Sequence, residues 1–382
     1  MQNSRLSQWH VLKHDKWLLS SLTWLPVFLA VTLWWIFSQG LVCDLPVGIV
    51  DLENDTVSRT LVRQLDATSV MAVTSAYPNV YEARQALIAG NIYAYAVIPR
   101  HFTRDIYNNT PPQISVFYNS QYILVGKQIN SAVNQAYGTF NTQAGALKQL
   151  SKGQQTFSGA AGQALPLRSQ ITPLFNLNSD YAQFLVSAIV PALWQIFIVV
   201  STILWLTANY RIYGSKTMLG PQPVRRFISL CRFYLPFYLL SGFGFLSWFY
   251  TGLKWPMAGS LFPLIYAQLL TAVACIIMGS LFFFITQDPA RAMSFAGVLT
   301  APSFAFMGIT FPATDMPLPA EIWRNLLPVS YYIEAQIGQS SYGVTSWQTI
   351  TRFSLPMLGY LFPLGVTLLL IKKHHARQES DT

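Results

Sequence analysis

Six intervals of this sequence lack any Asp, Glu, Lys or Arg and are apolar over enough residues to cross a bilayer. A hydrocarbon core of about 30 Å takes roughly 20 helical residues. The intervals run from Lys16 to Asp44, Asp180 to Arg211, Arg232 to Lys254, Lys254 to Asp288, Arg291 to Asp315 and Arg352 to Lys372. A further uncharged stretch, Asp105 to Lys127, holds Asn108, Asn109, Pro111, Pro112, Gln113 and Asn119, and reads as a turn. The expectation is a membrane α-helical fold with six transmembrane helices. Charged residues make up only 10% of the chain against 52% hydrophobic, which fits burial in lipid and not a soluble globule.

Lys and Arg are retained on the cytoplasmic side of short loops, so their placement gives the orientation. With both termini inside, the cytoplasmic segments collect twelve basic residues against the four acids Asp15, Asp288, Glu379 and Asp381. The short outer loops keep only Lys254, Arg324 and Arg352. The expected organisation is a cytoplasmic amphipathic N-terminus (1–17), a first span (18–40), a periplasmic α/β domain with a long helix (41–180), five more spans (181–371) and a cytoplasmic tail (372–382), in a bacterial inner (plasma) membrane. The first span reads as an uncleaved anchor: its run carries Trp24, Trp34 and Trp35 and lacks a small-x-small cleavage site. The +9 net charge reports topology and anionic lipid in preference to nucleic acid.

Between Leu45 and Asn119, short β-rich runs alternate with helical ones, which predicts a small mixed sheet. Strands are expected at 46–51, 70–74, 92–98 and 114–118, with helices following Asp55 and near Tyr81 to Ala89; Asp55 with Ser58 marks a helix start. Farther on, Ile129, Val133, Ala136, Phe140, Ala144 and Leu147 recur at steps of three and four along one long helix. That stripe packs either on its own domain or on a second subunit or periplasmic protein. The Gly, Ser and Gln-rich run from Ser151 to Ala164 reads as a connector, and Pro166 and Pro173 mark the return to the bilayer.

Several chemistries are excluded. No G-x-x-x-x-G-K-[ST] motif is present, and Gly214-Ser-Lys-Thr217 lacks the upstream glycine of a phosphate-cradling loop, so ATP hydrolysis by this chain is not expected. No catalytic set and no metal site is expected: Cys43, Cys231 and Cys275 are scattered, and His374 with His375 reads as interfacial charge. The spans hold no titratable group away from their ends, which disfavours proton coupling. Gln195, Asn209 and Gln268 are polar and neutral, suited to interhelical hydrogen bonds or to substrate contact.

One span, a long external α/β segment and five further spans resemble the membrane subunit of type-2 ABC exporters with a large external domain. The runs that carry the resemblance begin with Val47-Gly-Ile-Val-Asp51, Ser58 and Leu61. Glu82-Ala-Arg-Gln-Ala-Leu87, Gly90 and Val97-Ile-Pro99 with Phe102 follow. Tyr213-Gly-Ser-Lys-Thr217, Pro221 to Pro223 and Arg225-Arg226 are next, and Gly308-Ile-Thr-Phe-Pro312, Met316-Pro317 and Leu327-Pro328-Val-Ser-Tyr331 through Glu334 complete the set. The departure is in Ala208 to Tyr213, which lacks the acidic residues that the family often carries before this Gly-Thr step.

The resemblance implies a cytoplasmic coupling loop over 207–232 and an outer helical hairpin over 311–352. It implies separate ABC ATPase subunits that bring ATP and Mg, with no cofactor in this chain, and a second membrane subunit, identical or not. A periplasmic adaptor is compatible with it. Arg211, Tyr213, Lys216, Thr217, Arg225 and Arg226 become candidates for ATPase coupling, with Leu6, Trp9, Leu12 and Trp17 near the interface. Phe311, Tyr331 and Glu334 become exit-path candidates, with pairing to Arg324 or a helix cap as the other reading of Glu334. A membrane receptor or assembly scaffold that binds partners through its external domain is the competing class.

Overall fold

The computed structural model describes residues 7–38, 43–108, 110, 112–119, 123–150, 180–309 and 313–380. It separates into two compact units, Leu41–Thr172 and a second made of Met1–Gly40 with Pro173–Thr382.

Among the described residues, the Leu41–Thr172 unit holds four strands, β1 (Leu45–Asp51), β2 (Met71–Ala76), β3 (Ala94–Ile98) and β4 (Ser115–Tyr118), in the order β2-β1-β3-β4. β1 runs parallel to β2 and β3, and β4 is antiparallel to β3. Parallel neighbours require crossovers. Helix α4 (Thr56–Asp66) joins β1 to β2, and α5 (Val80–Ile88) joins β2 to β3; α6 (Phe102–Tyr107) follows β3.

Helix α4 starts where the sequence places it. The Asp55 carboxylate accepts from Thr56 N–H, and Ser58 Oγ accepts from Asp55 N–H at 2.9 Å while donating to Asp51 Oδ2 at 2.7 Å. The Thr56 hydrogen bond holds the Asp55 carboxyl below its usual range.

Helix α7 (Ile123–Leu150) lays Ile129, Val133, Ala136 and Phe140 into the core formed by β1, β3 and Leu61 and Leu65 of α4. Burial of Ile129, Val133 and Phe140 contributes about 1.5–3 kcal/mol each relative to exposure, so this face is occupied by its own domain. The side chains of Ala144 and Leu147 lie outside the description, as do the 151–164 connector, Pro166 and Pro173. Gly48 is required in β1, because an added Cβ would stand 2.6 Å from the Tyr77 ring.

The other unit is helical. Among the described residues, four helices are long and apolar enough to cross a membrane: Tyr181–Gly214, Pro223–Gly252, Phe262–Thr286 and Ser346–Ala376. A fifth candidate is a pair, α2 (Lys16–Leu22) and α3 (Trp24–Phe37), bent by 48°. The bend at Thr23 has a cause in Pro26, which lacks an N–H and whose ring would clash with the Leu22 carbonyl in a continuous helix. Helix α1 (Gln8–His14) precedes this pair, and Asp15 caps α2 through Trp17 N–H and Leu18 N–H.

The fifth expected span, from Arg291 to Asp315, differs. Asp288 caps α11 (Pro289–Thr300), which is only 12 residues long, about 18 Å at 1.5 Å per residue. Pro302 cannot continue the ladder, and the chain resumes as the four-residue α12 (Ser303–Phe306) before Gly308 at φ 91°. An uncharged interval therefore became two short helices, neither of which matches a 30 Å core.

The long elements are α8 (Tyr181–Leu219), α9 (Pro223–Ser247, continued by a π-helical turn Trp248–Gly252) and α10 (Phe262–Thr286). Helix α10 is central, in contact with α8, α9 and α11 and with the later helices. Gly279 permits its closest approach to α8, since a Cβ there would lie 2.8 Å from the Val199 carbonyl oxygen. The segment after α12 forms α13 (Leu318–Asn325), α14 (Pro328–Ser340), α15 (Ser346–Met357) and α16 (Leu361–Ser380).

Candidate functional site

Helix α8 is broken near its C-terminal end. Gly214 has φ 74° and ψ 159°, a region open essentially to glycine alone, so Ser215 to Leu219 form a separate helical turn. Gly220, Pro221 and Gln222 then lead into α9, whose first residue is Pro223.

Helix α1 is fastened beside this break. Gln8 and Asn209 exchange two hydrogen bonds: Gln8 Nε2 donates to Asn209 Oδ1 at 2.9 Å, and Asn209 Nδ2 donates to Gln8 Oε1 at 3.1 Å. The hydroxyl of Tyr234 on α9 donates to the same Gln8 oxygen at 3.2 Å, and that of Tyr213 donates to the Ser7 carbonyl at 3.3 Å. Trp205 of α8 stacks on Tyr234 at 4.9 Å between ring centres. One glutamine thus ties α1 to both α8 and α9. Val11, Leu12 and Leu18 are buried in the bundle core.

The expected coupling residues spread over this end. Arg211 is exposed and Tyr213 half-buried. Lys216 and Thr217 sit in the turn after Gly214, and their side chains are not described. Arg225 is exposed, with Nη1 donating to Gln222 Oε1 at 3.2 Å. Arg226 is half-buried, and its Nε and Nη2 have no partner among the described residues. Trp9 and Trp17 point outward at 57% and 77% exposure, while Leu12 is buried; Leu6 is not described. Gln8 was not among the sequence candidates. Its spacing to Val11 and Leu12, three and four residues, places a polar group on the buried stripe of α1, and that was the available signal.

At the other end, Glu334 pairs with Arg324, Nη2 to Oε2 at 2.8 Å. The Arg324 side chain is 12% exposed and Glu334 is 65% exposed. Arg324 also lies over the Tyr331 ring at 5.9 Å, and the Tyr331 hydroxyl donates to Asn325 Oδ1 at 3.1 Å. Phe311 is outside the described residues.

Neutral amides join the helices between these ends. Gln195, fully buried on α8, donates to Ser303 Oγ at 3.1 Å and accepts Val329 N–H at 2.9 Å, which satisfies the start of α14. Gln268 donates to the Gly242 carbonyl at 2.8 Å and Gln339 to Thr349 Oγ1 at 2.6 Å. Trp194 Nε1 reaches the Tyr238 carbonyl at 3.0 Å. His374 bonds to the Phe284 carbonyl near the end of α10 at 3.0 Å, and a carbonyl only accepts, so Nε2 carries the proton. No group of three or more His, Cys, Asp or Glu suited to a metal is found among the described residues.

Among the described residues, two cavities between the helices stand out. An apolar groove of about 770 Å³ lies among α2, α3, α8 and α9, walled by Val27, Val31, Leu193, Trp194, Phe245 and Trp248 among others. A smaller cavity of about 230 Å³ lies between the first turns of α8, the end of α9, the Gly308 turn and α14.

A family model for ABC-2 family transporter proteins matches residues 16–371. No curated protein and no solved structure matches the chain.

Proposed function

This chain belongs to the ABC-2 family of transporter proteins as a multi-pass membrane permease subunit, and we propose that it serves an ATP-driven exporter of amphipathic or hydrophobic, drug-like or lipid-like molecules. ATP would be hydrolysed on separate cytoplasmic ABC ATPase subunits, where ATP and Mg bind. A second membrane subunit, identical or not, completes the path through a bacterial inner membrane. Both termini face the cytoplasm in this reading. The 41–180 segment is periplasmic and offers a surface to an adaptor.

The observation that carries the reading is the joint at Gln8, Asn209 and Tyr234 beside the break at Gly214. An ATPase closing against the Gly214 to Arg226 loop pushes a short helical turn that α8 does not continue. Because α1 is hydrogen-bonded to α8 and α9 at the same level, movement there reaches the first, second and third spans together. Arg211, Arg225 and Arg226 give this face a positive character that suits an acidic ATPase surface. Among the described residues the spans are joined by neutral amides and hold no buried carboxylate, which supports coupling to nucleotide over coupling to protons.

The test is reconstitution in lipid vesicles with the ABC ATPase that co-purifies with the chain. ATPase turnover should rise when this subunit is present and rise further with a transported amphipath. Cargo movement with no nucleotide-hydrolysing partner, or a partner whose turnover ignores this chain, would refute the exporter reading.

A further inference from the structure

The smaller cavity is not required by the coupling argument, and its lining is chemically specific. Gln183 and Ser187 of α8, Tyr250 and Trp255 after α9, and Gln336 and Ser340 of α14 border it. Gln336 is 3% exposed. Its Nε2 donates to the Ser187 carbonyl at 3.0 Å, and since that carbonyl only accepts, the amide orientation is fixed. The opposite atom, Oε1, is buried and has no hydrogen-bond partner. A buried carbonyl acceptor without a donor costs about 1–3 kcal/mol, so the site favours a molecule that brings an O–H or N–H. Among the described residues, no Asp, Glu, Lys, Arg or His lines the cavity, which disfavours a charged head.

The cavity also continues a surface. On α8, Gln183 and Ser187 of the cavity are followed at steps of three and four by Val190 and Trp194 of the apolar groove, all on one helix face. Polar lining therefore gives way to apolar lining along a single stripe.

We propose that this cavity binds the neutral, hydroxyl-bearing head of an amphipathic molecule whose apolar body follows the α8 stripe toward the groove. Gln336 Oε1 accepts the hydroxyl proton, and Trp255 and Phe184 flank the carbon attached to it. The proposal deepens the exporter reading and rests on it only for the direction of traffic.

The test uses the full chain in phospholipid nanodiscs and two photoprobes: an octanol carrying an alkyl diazirine, and its methyl ether, which cannot donate. Adducts are located by peptide mass spectrometry. Residues 183–187 and 333–341 should label at least about fivefold more with the alcohol than with the ether, the worth of one hydrogen bond. Unlabelled octanol should compete. Gln336→Met should bring the ratio to about one, and Ile337→Trp, which fills the cavity, should abolish both labels. If Gln336→Met fails to fold, the wild-type ratio and Ile337→Trp decide alone. Equal labelling by both probes, or a cavity that holds water only and labels with neither, overturns the proposal. The measurement needs no ATPase, so an active exporter with an unlabelled cavity and a labelled cavity without export are separate outcomes.

Discussion

Replacing Gly214 by alanine isolates the role of the break in α8. A Cβ at this position meets nothing within 4 Å, so the substitution introduces no clash and acts through the backbone alone. At φ 74° and ψ 159° a non-glycine residue is strained by about 1–3 kcal/mol. In a continuous helix, alanine is better than glycine by about 1 kcal/mol. Together these favour a straight α8 over the broken one by about 2–4 kcal/mol, a shift of roughly 30- to 700-fold in the ratio of the two forms. The turn from Ser215 to Leu219 would then extend along the α8 axis and leave the place where a partner meets it.

The assay compares nucleotide hydrolysis by the assembled transporter with and without cargo. Gly214→Ala should retain the helical bundle, seen as an unchanged thermal unfolding midpoint, yet lose most cargo-stimulated turnover. Gly214→Asn should not rescue it, because asparagine tolerates the left-handed helical region and not a ψ near 159°. Full stimulation in Gly214→Ala would refute the claim that the break positions the coupling turn.

Gln195→Leu orphans the Val329 N–H and the Ser303 hydroxyl and should destabilise the bundle by about 2 kcal/mol or more, read by thermal unfolding in detergent. In a double-mutant cycle, Gln8→Ala and Asn209→Ala should couple by about 1 kcal/mol; additivity would deny the reciprocal amide pair. Glu334→Gln leaves the mostly buried Arg324 without its counter-charge, so adding Arg324→Met to it should recover stability, not lose more. The Asp55 carboxyl has a lowered folded-state pKa, so its contribution holds above the unfolded value and is lost as pH falls through the folded one. The protection factors of the α4 amides should accordingly fall below about pH 4, and less so in Asp55→Asn.

Elements with strong local determinants were legible in the sequence. The charge-free intervals gave α8, α9 and α10 because hydrocarbon excludes ionised groups wherever the chain turns next. The strands, α4 with its Asp55 and Ser58 cap, and the buried stripe of α7 followed from periodicities that each segment carries by itself. Breaks inside apolar runs were harder. The interval from Arg291 to Asp315 satisfies a hydropathy criterion, yet Pro302 divides it, and hydropathy does not weigh a missing N–H. The candidate site was legible only in part. Arg225, Arg226 and Gly214 lie close together in the chain, whereas Gln8 meets Asn209 across 201 residues, a contact that local pattern does not encode. Gln336 likewise looked like any helical glutamine; its significance comes from a cavity assembled by four separate elements.

The elbow at Thr23 has a mechanical corollary. A stiff rod driven at one end transmits a stroke as translation, whereas two rods meeting at 48° convert it into a swing of the far one. Under the proposed coupling, force entering through α1 and α2 would tilt α3 sideways, and α3 is one of the helices that wall the 770 Å³ groove together with α8 and α9.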